Sequence, residues 1–327
     1  MGSHCIVSLL RQGFRVRTTV RSLAKADAVR ALIFAGGQDP DAVEVVAAEL
    51  TSDAGWAEAV AGCDYVLHVA SPFPATTPKD PDELITPARD GAVRVLTSAR
   101  AAGVKRVVMT SSFAAIGYGV VPTDHVFTED DWTDLAGPVP VAPYARSKTV
   151  AERAAWDFAA AHPGFELAVI NPVLILGPPL GREAGTSLEL LRRLVMGELP
   201  GIPDVTFGLV DVRDVADLHV LAMTSPDAVG ERFLAVSGES MSLGEMAHLL
   251  RGRLGPAASK IPTRRLPSWL VRALGLVVPE IKTLASQLGH RMEASAAKAE
   301  RVLGWKPRTR EVTLVDTARA LLAVAGG

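Results

Sequence analysis

A regular alternation of helix-like and strand-like segments constrains this 327-residue chain more than any other feature of its sequence. Residues 3–12 have the apolar spacing of a helix and stop at Gly13, a residue suited to the left-handed position past a helix end. Phe14 to Val20 then reads as a strand. The same device recurs at Ala92 to Ala102, Gly103, and Lys105 to Thr110. Val43 to Ala47, Tyr65 to Val69 and Leu167 to Ile170 are further short runs rich in β-branched residues. They are continuously apolar, which suits strands covered on both faces in a parallel sheet. Helices are predicted between them at 22–35, 53–61, 80–102 and 143–161. The pattern is that of an α/β chain with a doubly wound parallel sheet.

Beyond Gly177 the rhythm breaks. Gly and Pro cluster in GPPLGREAG and GELPGIPD, loops that flank a helix at about 186–197. A strand at 205–210 and a helix capped by Asp214 are predicted to return to the sheet, so 1–176 with 205–225 form one domain. Segments 177–204 and 226–327 are predicted to build a smaller, mostly helical lobe with an apolar stretch from Leu266 to Leu276.

Charge excludes several classes of partner. The 34 basic and 36 acidic residues leave a net charge of −2, without the basic footprint that nucleic acid or an anionic membrane needs. Cys5 and Cys63 are too few for a disulfide framework or a zinc site, and the seven histidines lack metal-ligand spacing. No metal is expected. The longest apolar stretch, Leu167 to Leu176, contains Asn171 and Pro172 and is too short to span a bilayer. With no charged-then-apolar leader, a cytoplasmic location and small-molecule chemistry are expected.

The chemistry concentrates in Tyr144-Ala145-Arg146-Ser147-Lys148. Its i,i+4 spacing on a helix puts the phenol and the ammonium on one face. A cation there favours ionisation of the phenol, which then exchanges a proton nearer neutral pH. Upstream, Thr110-Ser111-Ser112 ends a predicted strand, and ligands of open α/β sheets sit beyond the carboxyl ends of the strands. A serine hydroxyl at that end can hydrogen-bond the oxygen that the tyrosine protonates. His68 reads as a packed core histidine and Cys63 as a small apolar filler.

Strand-TSS followed by Tyr-x-x-x-Lys, with VLHVASP at 66–72, EDDWTDL at 129–135, NPVLILGP at 171–178, VDVRDVADLHV at 210–220 and LGWKPRT at 303–309, resembles the extended short-chain dehydrogenases/reductases. Within that family the pattern is similar to the dihydroflavonol 4-reductase and NADPH-dependent aldehyde reductase branch. The resemblance implies a Rossmann-like sheet and an NADPH-dependent reduction of an aldehyde or ketone. It implies that Tyr144 donates the proton and that Lys148 holds the nicotinamide ribose and lowers the tyrosine pKa. Ser112 orients the carbonyl, in preference to Ser111. Val69, Ala70, Ser71, Thr110, Pro172 and Leu174 are expected to line the cofactor, with Glu49 and Leu50 beside the adenine. Arg21, where NAD-preferring members carry an acid, implies NADP(H) over NAD(H). The carbonyl substrate is expected to be apolar or aromatic, and the protein a monomer or homodimer. A nucleotide-sugar epimerase or dehydratase, a hydroxysteroid-type dehydrogenase, and a non-catalytic NADP-sensing or inactive truncated protein are the alternatives.

The family opens with a strand and a T-G-x-x-G-x-x-G loop, and Gly2 matches only the last of those glycines. The first strand is therefore expected to be missing from the sheet, leaving two unpaired strand edges. Met1 is read as a wrongly assigned start, which translation of the upstream DNA tests. The chain as it stands is expected to bind NADPH weakly, as a fluorescence titration would check.

Overall fold

In the computed structural model the first helix, α1 (Gly2–Arg11), runs into Gly13, whose φ is 82°. The structure describes residues 1–71, 80–121, 124–181, 186–275 and 288–326. Pro72 of VLHVASP, residues 182–185 of GPPLGREAG, and Leu276 lie outside the described residues. After α1 come β1 (Val16–Val20), α2 (Ala26–Ala35), β2 (Val43–Ala47), α3 (Trp56–Val60), β3 (Tyr65–His68), α4 (Asp82–Ala101) and β4 (Arg106–Thr110). A short β5 (Val126–Phe127) precedes α5 (Pro143–Ala161), whose bounds are those predicted. The chain continues through β6 (Glu166–Pro172), β7 (Leu174–Leu176), α6 (Thr186–Val195), β8 (Thr206–Phe207), β9 (Leu209–Asp211) and α7 (Val212–Thr224). It ends with β10 (Arg232–Ala235), β11 (Met241–Ser242), α8 (Leu243–Leu254), α9 (Ser268–Gly275), β12 (Glu293–Ala294), α10 (Ala297–Leu303) and α11 (Arg310–Gly326).

Four strands pair in the order β10-β6-β4-β3, all parallel. Alternate residues serve opposite faces, as the pleat requires. Val107, Met109, Leu167 and Val169 pack with α4 and α5, while Val108, Ala168, Ile170 and Phe233 pack with α7. The apolar runs seen in the sequence are thus strands buried on both sides. β10 was not foreseen. The whole of 226–327 was expected in the helical lobe, yet Arg232–Ala235 extends the main sheet beside β6.

The sheet is in two pieces. β1 pairs in parallel with β2, and among the described residues no strand links β1 to β3. β4 is buried along its whole length, whereas β1 and β3 are mostly half-buried. Side chains make the join instead. Trp56 of α3 packs with Val46 of β2, Val66 of β3 and Val95 of α4. On the other face Ile6 and Val7 of α1 pack with Val16 and Val43, while Ser8 Oγ donates to Asp217 of α7 at 2.6 Å. Arg17 reaches from β1 to the carbonyls of Glu58 and Ala61, at 3.1 and 2.7 Å.

The lobe has its own core, where Leu191, Leu194, Leu209, Leu243, Leu250 and Leu314 are buried together. Leu266 and Val271 of the apolar stretch pack into it, but Trp269 is 69% exposed. Asp214 does not cap α7 as predicted. Asp211 does, accepting from Arg213 N at 2.9 Å, because the helix starts three residues earlier. Asp214 instead anchors LGWKPRT: its carbonyl accepts from Trp305 Nε1 at 2.9 Å and its carboxylate from Arg308 N at 2.6 Å. Among the described residues no helix is long and apolar enough to cross a membrane.

Candidate active site

Tyr144 and Lys148 stand one turn apart near the start of α5, where Pro143 fits the first helical turn. Glu152 follows one turn further on the same face. This face meets the carboxyl end of β4, where consecutive residues point in opposite directions. Ser111 turns inward, 4% exposed, and its hydroxyl donates to the Glu152 carboxylate. Ser112 turns outward. Its Oγ accepts from Ala114 N at 3.1 Å, capping the turn Phe113–Ala115, and it hydrogen-bonds the Tyr144 phenol.

The electrostatics differ from the expectation in one respect. Burial pushes the Tyr144 phenol up from its ordinary value, and hydrogen bonding from Ser112 opposes the rise. Lys148, expected to lower the phenol, is itself shifted. Burial lowers Lys148 to about 8, and the Glu152 carboxylate works against the loss. Lys148 is 6% exposed, and its ammonium makes no hydrogen bond or ion pair to another described residue. His68 is buried, and burial with the Lys148 charge holds it near 4. It is a neutral core histidine, as expected.

Thr110, expected to line the cofactor, faces the other way. Strand alternation puts it on the α7 side, where its Oγ1 lies 2.6 Å from His219 Nε2. His219 Nδ1 lies 2.7 Å from the Val215 carbonyl, which can only accept, so Nδ1 carries the proton and Thr110 donates to Nε2. Burial holds His219 near 4. An unfolded histidine titrates near 6.5, so between these values the unfolded chain binds more protons and acid destabilises the fold. Stability is expected to be intact above about pH 6.5 and to fall toward pH 4, by up to about 3 kcal/mol for His219. Urea midpoints across this range check the slope, which should flatten in the double variant Thr110→Val/His219→Leu.

The sequence profile of the NAD dependent epimerase/dehydratase family matches residues 1–236. The chain belongs to this family. Cinnamoyl-CoA reductase 1 of Arabidopsis thaliana is 35% identical over 252 residues, 76% of this chain and 71% of the relative. The NADPH-dependent methylglyoxal reductase GRE2 of Saccharomyces cerevisiae is 28% identical over 100% of this chain and 96% of its own. The crystal structure of yeast methylglyoxal/isovaleraldehyde reductase Gre2 complexed with NADPH superposes with a TM-score of 0.81. That comparison has 26% identity and covers 99% of this chain and 95% of the yeast chain. The aldehyde-reductase-like resemblance read from the motifs therefore holds at the level of family and fold.

The remaining residues expected to contact the epimerase/dehydratase family's cofactor lie at or past strand ends or at a helix start. Gly2 opens α1 and has open space where a Cβ would stand. Arg21 follows β1 and is exposed. Glu49 and Leu50 follow β2, with the Glu49 carbonyl accepting from Trp56 Nε1 at 2.9 Å. Leu50 packs beside Trp56. Val69, Ala70 and Ser71 follow β3, while Pro172 ends β6 and Leu174 begins β7. Glu152, Asn171 and Arg232 were missed. Their one sequence signal is the position of Glu152, four residues past Lys148.

Proposed function

We propose that this chain reduces the carbonyl of an aldehyde or ketone to the alcohol with NADPH. One observation carries the reading: an outward-facing Ser112 hydroxyl and the Tyr144 phenol meet at the carboxyl end of β4, one turn of α5 from the buried Lys148. An ammonium donates readily to hydroxyl oxygens, and ribose hydroxyls are acceptors of that kind. Lys148 would hold those hydroxyls, Arg21 the 2′-phosphate, and the start of α1 at Gly2 the pyrophosphate. Val69, Ala70, Ser71, Pro172 and Leu174 would line the rest. NADPH supplies the hydride when bound.

Ser112 and Tyr144 both donate toward the carbonyl oxygen, orienting it and withdrawing charge from the carbonyl carbon. The Tyr144 proton passes to that oxygen as it becomes an alkoxide, and the phenolate left behind is stabilised by the Lys148 cation. An aromatic cluster starts at Phe113, the residue after Ser112. Phe113 packs edge-on against Tyr118 and Phe127, with centroids 6.1 and 5.5 Å apart. Burial pushes the Tyr118 hydroxyl up to about 12, so this uncharged cluster near Tyr144 supports an apolar or aromatic substrate.

The test is NADPH oxidation over a panel of aliphatic and aromatic aldehydes and ketones. Turnover with aldehydes is expected; none across the panel overturns the reading. Arg21→Ala should weaken NADPH binding roughly 10- to 100-fold, the worth of one charge-assisted bond, and leave NADH binding unchanged. Equal losses for both nucleotides would remove Arg21 from the phosphate site.

A further inference from the structure

Behind Lys148 lies a polar cluster that proton donation does not itself require. Glu152 is fully buried, and four groups converge on its carboxylate. Asn171 Nδ2 donates to Oε2 at 2.7 Å, and Ser111 donates to the same oxygen. Arg232 Nε donates to Oε1 at 2.6 Å, with Trp156 Nε1 at 3.3 Å. Arg232 is fixed in turn. It lies 3.8 Å from the centroid of the Trp132 ring and donates to the carbonyls of Glu129 and Asp131 at 2.8 and 2.9 Å. Asn171 Nδ2 also donates to the Ser112 carbonyl at 3.2 Å. One carboxylate thus ties α5 to β4, β6 and β10 at the level of the reacting groups.

We propose that Glu152 is a positioning residue for the reduction: its clamped carboxylate keeps the neighbouring Lys148 ammonium charged and fixes the Ser111–Ser112 strand end against α5. The inference rests on the carbonyl-reductase reading and deepens it. Buried carboxylates are expensive unless hydrogen-bonded on both oxygens, and Glu152 meets that condition. The groups facing Lys148 and its support are few. Tyr144 and Glu152 come from α5, neutral His68 from β3, Ser111 from β4, Asn171 from β6 and Arg232 from β10. The α4 surface packed on α5 presents Ala88, Ala92 and Leu96. Glu152 is therefore the nearby anion that opposes the loss of the Lys148 proton, and Arg232 is the cation that competes for it.

Two variants move the same quantity in opposite directions. Glu152→Gln keeps the shape and removes the charge, so the lysine should titrate about one unit or more lower. Arg232→Met frees the carboxylate for Lys148 and should raise its titration point. The first readout needs no cofactor: NMR titration of ¹³C-labelled lysine in the full chain, with Lys148 assigned through Lys148→Arg. The second is the alkaline limb of kcat/KM, which should shift down in Glu152→Gln and up in Arg232→Met. Glu152→Asp should restore most of the parent profile. Shifts of one sign in both charge variants, or no shift in folded protein, overturn the proposal. Lysine shifts without turnover of any carbonyl would retain it while sinking the reductase reading, so the two failures are distinguishable.

Discussion

Replacing Tyr144 by Phe is expected to lower kcat for carbonyl reduction by about two to four orders of magnitude, the usual contribution of a positioned acid. The substitution removes one oxygen from a ring that is 36% exposed, so the helix and its packing are retained. Ser112 loses the phenol but keeps its bond from Ala114 N, so the strand end stays in place. Affinity for NADPH should therefore change less than about twofold while turnover collapses, because the phenol acts mainly in the transition state. Stopped-flow binding and steady-state turnover on the same preparation separate the two. Full activity in Tyr144→Phe would remove the tyrosine from the proton path.

The largest expected loss of stability comes from Arg106, which is 2% exposed at the start of β4. Its guanidinium pairs with Glu166 on β6 at 2.7 Å and donates to the carbonyls of Ala222 and Met223 at 2.9 and 3.2 Å. A further bond goes to the Ser225 carbonyl, so the arginine closes the end of α7, where helix carbonyls lack internal partners. Arg106→Met leaves those carbonyls unmet and strands the carboxylate. The expected cost is about 3–5 kcal/mol, a large share of the 5–15 kcal/mol that holds a typical domain. Glu166→Gln should cost under about 1 kcal/mol, because Glu166 is partly exposed and the carbonyl bonds survive. Urea unfolding of the two variants measures the difference, and equal midpoints would refute the role of the carbonyls.

Features fixed by local chemistry were legible in the sequence. α5 is bounded by Pro143 at its start and by His162-Pro163-Gly164 at its end, and its range was read correctly. β2 likewise stands out as a β-branched run between turns. β10 escaped because it is four residues long, begins with an arginine, and follows Gly230 in a stretch otherwise read as helical. The Glu152 cluster escaped for a different reason. A glutamate on a helix normally faces water, and Asn171 and Arg232 lie 19 and 80 residues away. Thr110 could have been placed correctly. Alternation along β4 sends Val108 and Thr110 toward α7 and Met109 and Ser111 toward α5, a period-two rule that overrides proximity to a motif.

The interrupted ladder divides the residues proposed to hold NADPH from those proposed to move the proton. Arg21, Glu49 and Leu50 ride on the β1–β2 piece, whereas Ser112, Tyr144 and Lys148 ride on the four-stranded piece and α5. Among the described residues these pieces share side-chain packing and a few polar contacts, but no strand-to-strand hydrogen bonds. Packing yields gradually, whereas a sheet ladder opens as a unit. The β1–α2–β2 segment is therefore a separate cooperative unit that can loosen while the reacting groups stay assembled. On the proposed roles, grip on the nucleotide and competence for proton transfer would be set by two different local stabilities.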